Sequence, residues 1–310
     1  MKLATTTGDF FRYTKTDAEA VAAFEGTGFR YLDYSFYNAA RPGSVMLTDG
    51  WIREVERAAE TAARLGFEFV QAHAPSYNPL EPGVDHENGL RALLRSIEAC
   101  GRLGVRNIVL HAAFGEEYTY PEGREGFFRA NRRFCESLFP TMEKYGVSVC
   151  MENSAEKNMG GRYFFMTGGE IADFVEWVGH PLLQGCMDVG HANMRDESVY
   201  KTLRELGPHL KALHIQDNFG VFDEHTAPFF GTLDLDGVMQ ALLDVGYDGY
   251  FTFEADNMLM TSGWPHPKKL SPEVSRRRLL MPPLELRRHA EGLLYHIGRY
   301  ILEQYGCFEE

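Results

Sequence analysis

Cysteine is scarce and unpaired in this 310-residue chain. Cys100, Cys135, Cys150, Cys186 and Cys307 are scattered, odd in number and without a C-x-x-C pair. That excludes a disulfide framework as the organising device and disfavours a thiolate metal site, leaving reduced thiols as the default. No run of about 18 apolar residues occurs, so a membrane-spanning helix is not expected. The opening "MKLATTTGDFF" lacks the long apolar stretch of a signal peptide. Together these absences make a cytoplasmic protein the expectation. Positive charge is also short: 31 Lys and Arg stand against 44 Asp and Glu, a net charge of −13. Such a balance disfavours a broad grip on a polyanionic nucleic acid, although bound cations can reverse the field at one site. No G-x-G-x-x-G follows the first apolar segment, which argues against a Rossmann fold.

What is present is an alternation. Short apolar segments rich in β-branched and aromatic residues read as strands: "KLATTT", "FRYLDYSF", "FEFVQAH", "RNIVLH", "VSVCMEN", "LQGCMD", "LKALH" and "GYFTFEA". They recur about every 25–40 residues, the span of a β-α unit. Helical patterns lie between them. Leu90, Leu93, Leu94 and Ile97 follow i, i+3, i+4, i+7 spacing, with Gly104 as a stop; Leu235, Val238, Met239 and Leu242 repeat it, with Gly246 after them. Thr167 and Glu170 form a capping box at the head of "IADFVEWVG". Strands alternating with helices imply a parallel sheet covered on both faces, and eight units imply a (β/α)8 TIM barrel. With no repeat, low-complexity tract or linker, residues 1–310 read as one domain. A Pro- and Arg-rich insertion, about 257–283, follows the last strand as a lid or an oligomer contact, and residues 284–310 form a C-terminal helical segment.

The reactive residues fall where the apolar segments stop. Segment three ends at His73, four at His111, five at Glu152, six at Asp188 with His191 three residues on, seven at His214 and eight at Glu254. In a barrel these C-terminal ends converge on one mouth, where active sites sit. Taken singly, each has a structural explanation: a hydrogen-bonded histidine, or a carboxylate capping the next helix. Six consecutive segments ending this way make capping a poor account, because buried imidazoles and carboxylates are costly unless paired or metal-bound. Glu, Asp, His and Glu at the last four ends supply mainly oxygen donors, which suits Mn²⁺, Mg²⁺ or Co²⁺, with Zn²⁺ also compatible. His86, His180, His209, His289 and His296 read as surface or helix residues, and His266 as a residue able to reach the pocket from the insertion. Arg276, Arg277 and Arg278 form the one dense basic run and read as a solvated face.

This order of residues resembles the xylose isomerase-like TIM-barrel superfamily, and within it the sugar phosphate isomerase/epimerase group, from about Lys2 to Ala255. The resemblance implies one divalent metal held by Glu152, Asp188, His214 and Glu254, with Glu152 and Glu254 also acting as acid and base on opposite faces of the substrate. His191 matches the family histidine that contacts a substrate oxygen. His73, His111 and His225 are implied to hydrogen-bond sugar hydroxyls or orient water. The implied reaction is isomerisation or epimerisation of a small sugar or polyol-derived ketone through an enediolate. Metal chelation of the carbonyl stabilises the developing charge, and general acid–base help is worth about 10²–10⁴-fold. Loss of water from the same enolate would make a dehydratase. Where some epimerases carry an arginine just after the strand-seven histidine, this chain has Asp217 and Asn218. No Lys/Arg cluster accompanies the strand ends, so nothing in the sequence supports a phosphorylated substrate.

A second branch of the superfamily, endonuclease IV, is similar at more positions. Its trinuclear zinc ligands match His73, His111, Glu152, Asp188, His191, His214, Asp223, His225 and Glu254 in type and order, making His73, His111, His191, Asp223 and His225 candidates for additional metal ligands. That resemblance implies an AP-endonuclease-type phosphodiesterase. Three features favour the isomerase form and one metal per chain rather than three. The stretch from His214 to Asp223 is shorter than expected of endonuclease IV, the net charge is acidic, and "HIQDNFGVFDEHTAPFFGTLD" resembles the isomerase/epimerase form. A carbohydrate partner is implied, with no nucleic acid or membrane, and a homo-oligomer remains open.

Overall fold

The computed structural model describes residues 1–259 and 282–310. Each expected apolar segment forms a strand: β1 (Lys2–Thr6), β2 (Tyr31–Ser35), β3 (Glu68–His73), β4 (Asn107–Leu110), β5 (Ser148–Glu152), β6 (Leu183–Asp188), β7 (Leu210–His214) and β8 (Tyr250–Phe253). All pair in parallel, in the order β7-β6-β5-β4-β3-β2-β1-β8. The two edge strands meet just beyond the end of β7. Ile215 N donates to Thr252 O at 2.8 Å and Glu254 N to Ile215 O at 3.0 Å. The sheet is thereby nearly closed into a TIM barrel, joined at the mouth end where the reactive residues emerge.

Helices fill the intervals: α1 (Asp17–Ala23), α2 (Trp51–Leu65), α3 (His86–Leu103), α4 (Arg124–Glu136), α5 (Phe139–Tyr145), α6 (Glu156–Met159), α7 (Gly168–Val178), α8 (Val189–Asn193), α9 (Val199–Leu206), α10 (Leu235–Val245) and α11 (Leu284–Gln304). The capping box heads α7 as expected, with Thr167 Oγ1 accepting from Glu170 N at 3.1 Å. α3 and α10 end at Gly104 and Gly246, whose φ of 74° and 68° lie in the left-handed region that glycine adopts without a steric penalty. α11 packs close to the barrel. A side chain at Gly298 would stand 2.7 Å from Leu3 and Phe253, so this helix needs a bare backbone there to approach β1 and β8. The centre of the expected insertion, residues 260–281, lies outside the described residues, and with it His266 and Arg276 to Arg278. Among the described residues no helix is long and apolar enough to cross a membrane.

The strand period of two explains both the core and the site. Val109, Cys150, Cys186 and Ala212, from β4 to β7, form a fully buried apolar cluster of their own, separate from the main core. Small and compact, they pack together inside the barrel. Ile108, Leu110, Val149, Met151, Met187 and Leu213, one residue away, belong instead to the main core with the helices. Two residues beyond each member of the inner cluster stand His111, Glu152, Asp188 and His214, on the same face and one layer nearer the mouth. Thr252, also fully buried, precedes Glu254 by two in the same way. The inner layer is therefore a floor that holds a ring of polar side chains at the mouth.

Candidate active site

At the centre of that ring is a carboxylate cluster bridged by one imidazole. His214 Nδ1 lies 2.6 Å from Glu152 Oε1 and 3.3 Å from Glu254 Oε2. Glu152, Asp188 and His214 are buried, and Glu254 is partly open to the cavity. One donor atom from each of Glu152, Asp188, His214 and Glu254 falls within 4.8 Å of the others. Burial by itself would push Glu152 up; His214 and His111 outweigh it and hold the carboxyl well below its usual range. Burial likewise opposes charge on His214, but Glu254 and Glu152 raise it to about 10. Asp188 has neither advantage in full: burial pushes it up to about 6 against the pull of His191. Asp188 Oδ2 is buried and has no hydrogen-bond partner among the described residues. Three carboxylates around one imidazole, with an orphaned buried oxygen, are the donor set a divalent cation would satisfy.

Backbone and amide contacts fix this arrangement. Asn153, next to Glu152, accepts from Asp188 N at 2.7 Å and donates to Asp188 O at 3.0 Å, locking β5 to β6. Asp188 Oδ1 caps α8, accepting from His191 N at 2.6 Å. Gln216, two residues past His214, donates to Asp188 Oδ1 at 3.2 Å and Asp223 Oδ1 at 2.9 Å. Gly190 makes room for it, since a Cβ there would stand 2.0 Å from Gln216 Cδ.

Two further groups flank the cluster. His191, Asp223 and His225 form one, with His191 Nε2 donating to Asp223 Oδ2 at 2.9 Å and His225 Nε2 at 3.2 Å from Asp223 Oδ1. Burial opposes the charges, but Asp188 and Asp223 raise His191 to about 10, and the two imidazoles hold Asp223 well below its usual range. His225 has φ of 49°, a left-handed conformation uncommon for a residue with a side chain. His73 and His111 form the other group with Glu152: His111 Nε2 is 2.8 Å, and His73 Nε2 3.7 Å, from Glu152 Oε2. Both groups bring three donor atoms within 4.8 Å. In His73, His191 and His225 the Nδ1 hydrogen bond goes to a main-chain carbonyl, of Ala74, Asn153 and Glu254 respectively, at 2.8–3.0 Å. That leaves each Nε2 turned toward the carboxylates.

All nine residues singled out in the sequence therefore converge. His73, His111, His191, Asp223, His225 and Glu254 line a cavity of about 710 Å³ at the barrel mouth, and Glu152, Asp188 and His214 lie beneath it. His86, His180, His209, His289 and His296 lie away from the cavity, as expected. Several residues escaped the sequence reading. Asp33, Asn153, Gln216 and Asp256 have ordinary roles as single letters, although Gln216 and Asp256 stand two residues past His214 and Glu254, the period that could have marked them. No Lys or Arg stands beside the C-terminal strand ends, yet two arginines reach the cavity from loops. Arg12 and Arg41, in the loops after β1 and β2, both line the cavity. Neither is adjacent to a strand end in sequence; loop geometry brings them back over the mouth.

A sequence model of the family described as xylose isomerase-like TIM barrel matches residues 21–277. The chain belongs to that family. Among curated relatives, the D-psicose 3-epimerase of Ruminiclostridium cellulolyticum is 23% identical over 252 residues, 80% of this chain and 82% of that protein. The fructoselysine 3-epimerase of Escherichia coli O157:H7 is 31% identical over 105 residues, 34% of this chain and 37% of its own. An uncharacterized protein of Sinorhizobium fredii is 26% identical over 172 residues, so the chain spans about half of that relative, 53%. Two solved structures share the fold of this xylose isomerase-like barrel. The D-psicose 3-epimerase of Clostridium cellulolyticum with D-tagatose gives a TM-score of 0.71 at 18% identity, covering 97% of this chain and 99% of that one. The family 2 AP endonuclease of Brucella melitensis gives 0.60 at 16% identity, covering 81% and 91%.

Proposed function

We propose that the protein is a metal-dependent isomerase or epimerase acting on a small sugar or polyol-derived ketone by proton transfer through an enediolate. The observation that carries this reading is the pair of glutamates, Glu152 and Glu254, both in contact with His214 within a carboxylate-rich cluster beneath a cavity. Relatives named as sugar 3-epimerases support the same reaction class. Glu152, Asp188, His214 and Glu254 would hold a divalent ion (Mn²⁺, Mg²⁺, Co²⁺ or Zn²⁺), which when bound supplies Lewis-acid stabilisation of the charge that builds on the substrate oxygen.

The residues divide the remaining work. One of Glu152 and Glu254 removes the proton from the carbon beside the carbonyl, and the other returns a proton. Return to the same carbon from the other face inverts it; return to the neighbouring carbon gives aldose–ketose isomerisation. Glu254 is the more exposed of the two and faces the cavity, which suits it to exchange protons with substrate. His191 and His225, on the cavity wall with Nδ1 anchored, exchange the Asp223 contact of Nε2 for substrate oxygens when substrate binds, and His73 and His111 face substrate from the opposite side of Glu152. The test is exchange of the substrate α-hydrogen with deuterated solvent by the metal-loaded protein over a panel of ketoses.

A second reading has its own observation. The central cluster and the His73 and His111 group share Glu152, and the three carbonyl-anchored imidazoles have the outer hydrogen bonds that orient metal-ligating histidines. A three-zinc phosphodiesterase would use all nine residues. The single-ion reading is preferred because His191 and His225 already neutralise Asp223, and His111 already faces Glu152, whereas Asp188 Oδ2 in the central cluster has no such partner. A dehydratase would share the first proton-transfer step and differ in releasing water from the enediolate.

A further inference from the structure

The cavity has two chemically different walls. One is built of the histidines and carboxylates described above. The other comes from the loops after β1 and β2, whose strands end in Thr6 and Ser35 rather than in metal-type residues. Arg12 and Arg41 stand on this second wall, with Tyr37 and Asn38. Proton transfer at the floor uses neither arginine. The Arg41 side chain makes no ion pair or hydrogen bond with any described residue, and the buried Asn38 Oδ1 has no hydrogen-bond partner among them. Burial raises Tyr13 and Asp256, and the Arg12 guanidinium is near enough to oppose both shifts in small part. Two guanidinium groups are thus placed at the rim of a cavity whose floor is acidic, on a chain of net charge −13.

Size points the same way. At about 710 Å³ the cavity is in the upper part of the range, roughly 300–1,000 Å³, of pockets that enclose drug-sized ligands. A substrate carbon chain seated at Glu152 and Glu254 leaves space toward the second wall. The planar guanidinium fork pairs with carboxylate and phosphate oxygens, often through two parallel hydrogen bonds. In a protein this acidic, an anionic substrate would be repelled from the mouth unless local positive charge met it there.

We infer that Arg12 and Arg41 form a subsite for an anionic group, a carboxylate or a phosphate, at the end of the substrate remote from Glu152 and Glu254. The substrate class is then an acidic sugar derivative rather than a neutral ketose. This rests on the proton-transfer reading only for what occupies the floor.

The experiment is calorimetric titration of the full, metal-loaded chain with D-fructose, D-fructose 6-phosphate and D-fructuronate at low salt, in wild type, Arg41→Gln and the Arg12→Gln/Arg41→Gln double variant. Both arginines are exposed, so folding is expected to survive, and unchanged circular dichroism checks it. The subsite predicts that at least one anionic ketose binds tenfold or more tightly than D-fructose, and that the preference falls at least tenfold in the double variant. Which anion wins identifies phosphate or carboxylate. Equal affinities, a preference that survives in the double variant, or failure of both anions to bind overturns the inference. Deuterium exchange into D-fructose is scored separately. Exchange without anion preference defeats the subsite and keeps the proton-transfer reading; anion preference without exchange into any bound ketose does the reverse.

Discussion

His214 Nδ1 and Glu152 Oε1 are 2.6 Å apart at the floor of the barrel mouth, both on fully or nearly fully buried side chains. Both residues belong to the set that would hold a divalent ion, so proton and metal would compete for the same imidazole. The neighbouring carboxylates raise His214 to about 10 from an ordinary 6.5, and the ring is protonated at neutral pH. Metal uptake at pH 7.5 should therefore release at least one proton, and affinity should rise as pH climbs toward about 10. The metal-free fold should respond in the opposite direction. The His214 contribution is complete below pH 6.5 and disappears as pH rises through about 10, because the folded state holds the proton more tightly than the unfolded chain. Titration calorimetry in buffers of different ionisation enthalpy checks the first statement, and urea unfolding of chelator-treated protein checks the second.

Metal stoichiometry separates the two functional readings. Elemental analysis of purified protein should give close to one divalent ion per chain. Three zincs per chain, lost in part on Asp223→Asn, would instead favour the phosphodiesterase.

Gln216 holds Asp188 and Asp223 together from inside the barrel, at 3.2 and 2.9 Å. Outer contacts of this kind typically change metal affinity by about 10–100-fold. Gln216→Leu should weaken metal binding within that range, and Gly190→Ala should do the same by displacing the Gln216 side chain. Both are read by competition with a fluorescent chelator.

Arg287 supports the site from α11. Its guanidinium donates to Asp256 O at 2.8 Å and pairs with the buried Asp9 at 2.9 Å and the buried Glu291 at 2.7 Å. Arg287→Met would leave buried carboxylates without a cation, and should cost about 3–5 kcal/mol in urea unfolding. Asp9 is raised well above the usual carboxylate range by burial and by Glu291, against the pull of Arg287. Its protonated form is favoured by folding, so its contribution is present at acid pH and lost as pH rises. Asp9→Asn should accordingly be more stable relative to wild type at pH 9 than at pH 5.

Much of this was legible in the sequence because the barrel repeats one rule. A strand that ends in His or an acid after a small inward residue, as in "VCME" or "GCMD", announces both its direction and its place at the mouth. Asp223 and His225 could be seen as a pair but not placed, because their position depends on a loop held by Asp217, which accepts from Gly231 N at 3.0 Å and Leu233 N at 2.9 Å. Arg12 and Arg41 were missed for the same reason: no period ties a loop residue to the strand it folds back upon. The Arg287 network was invisible because its members come from opposite ends of the chain, Asp9 and α11.

The most direct test of the account is hydrogen exchange at the carbon beside the carbonyl of a ketose, followed by proton NMR in deuterated water with metal-loaded protein. Wild type should incorporate deuterium at that carbon only when metal is present. Glu254→Gln should keep its fold and lose the exchange by about 10²–10⁴-fold. Exchange at the wild-type rate in Glu254→Gln would contradict the central claim, as would no exchange with any ketose in a protein that cleaves an abasic-site phosphodiester.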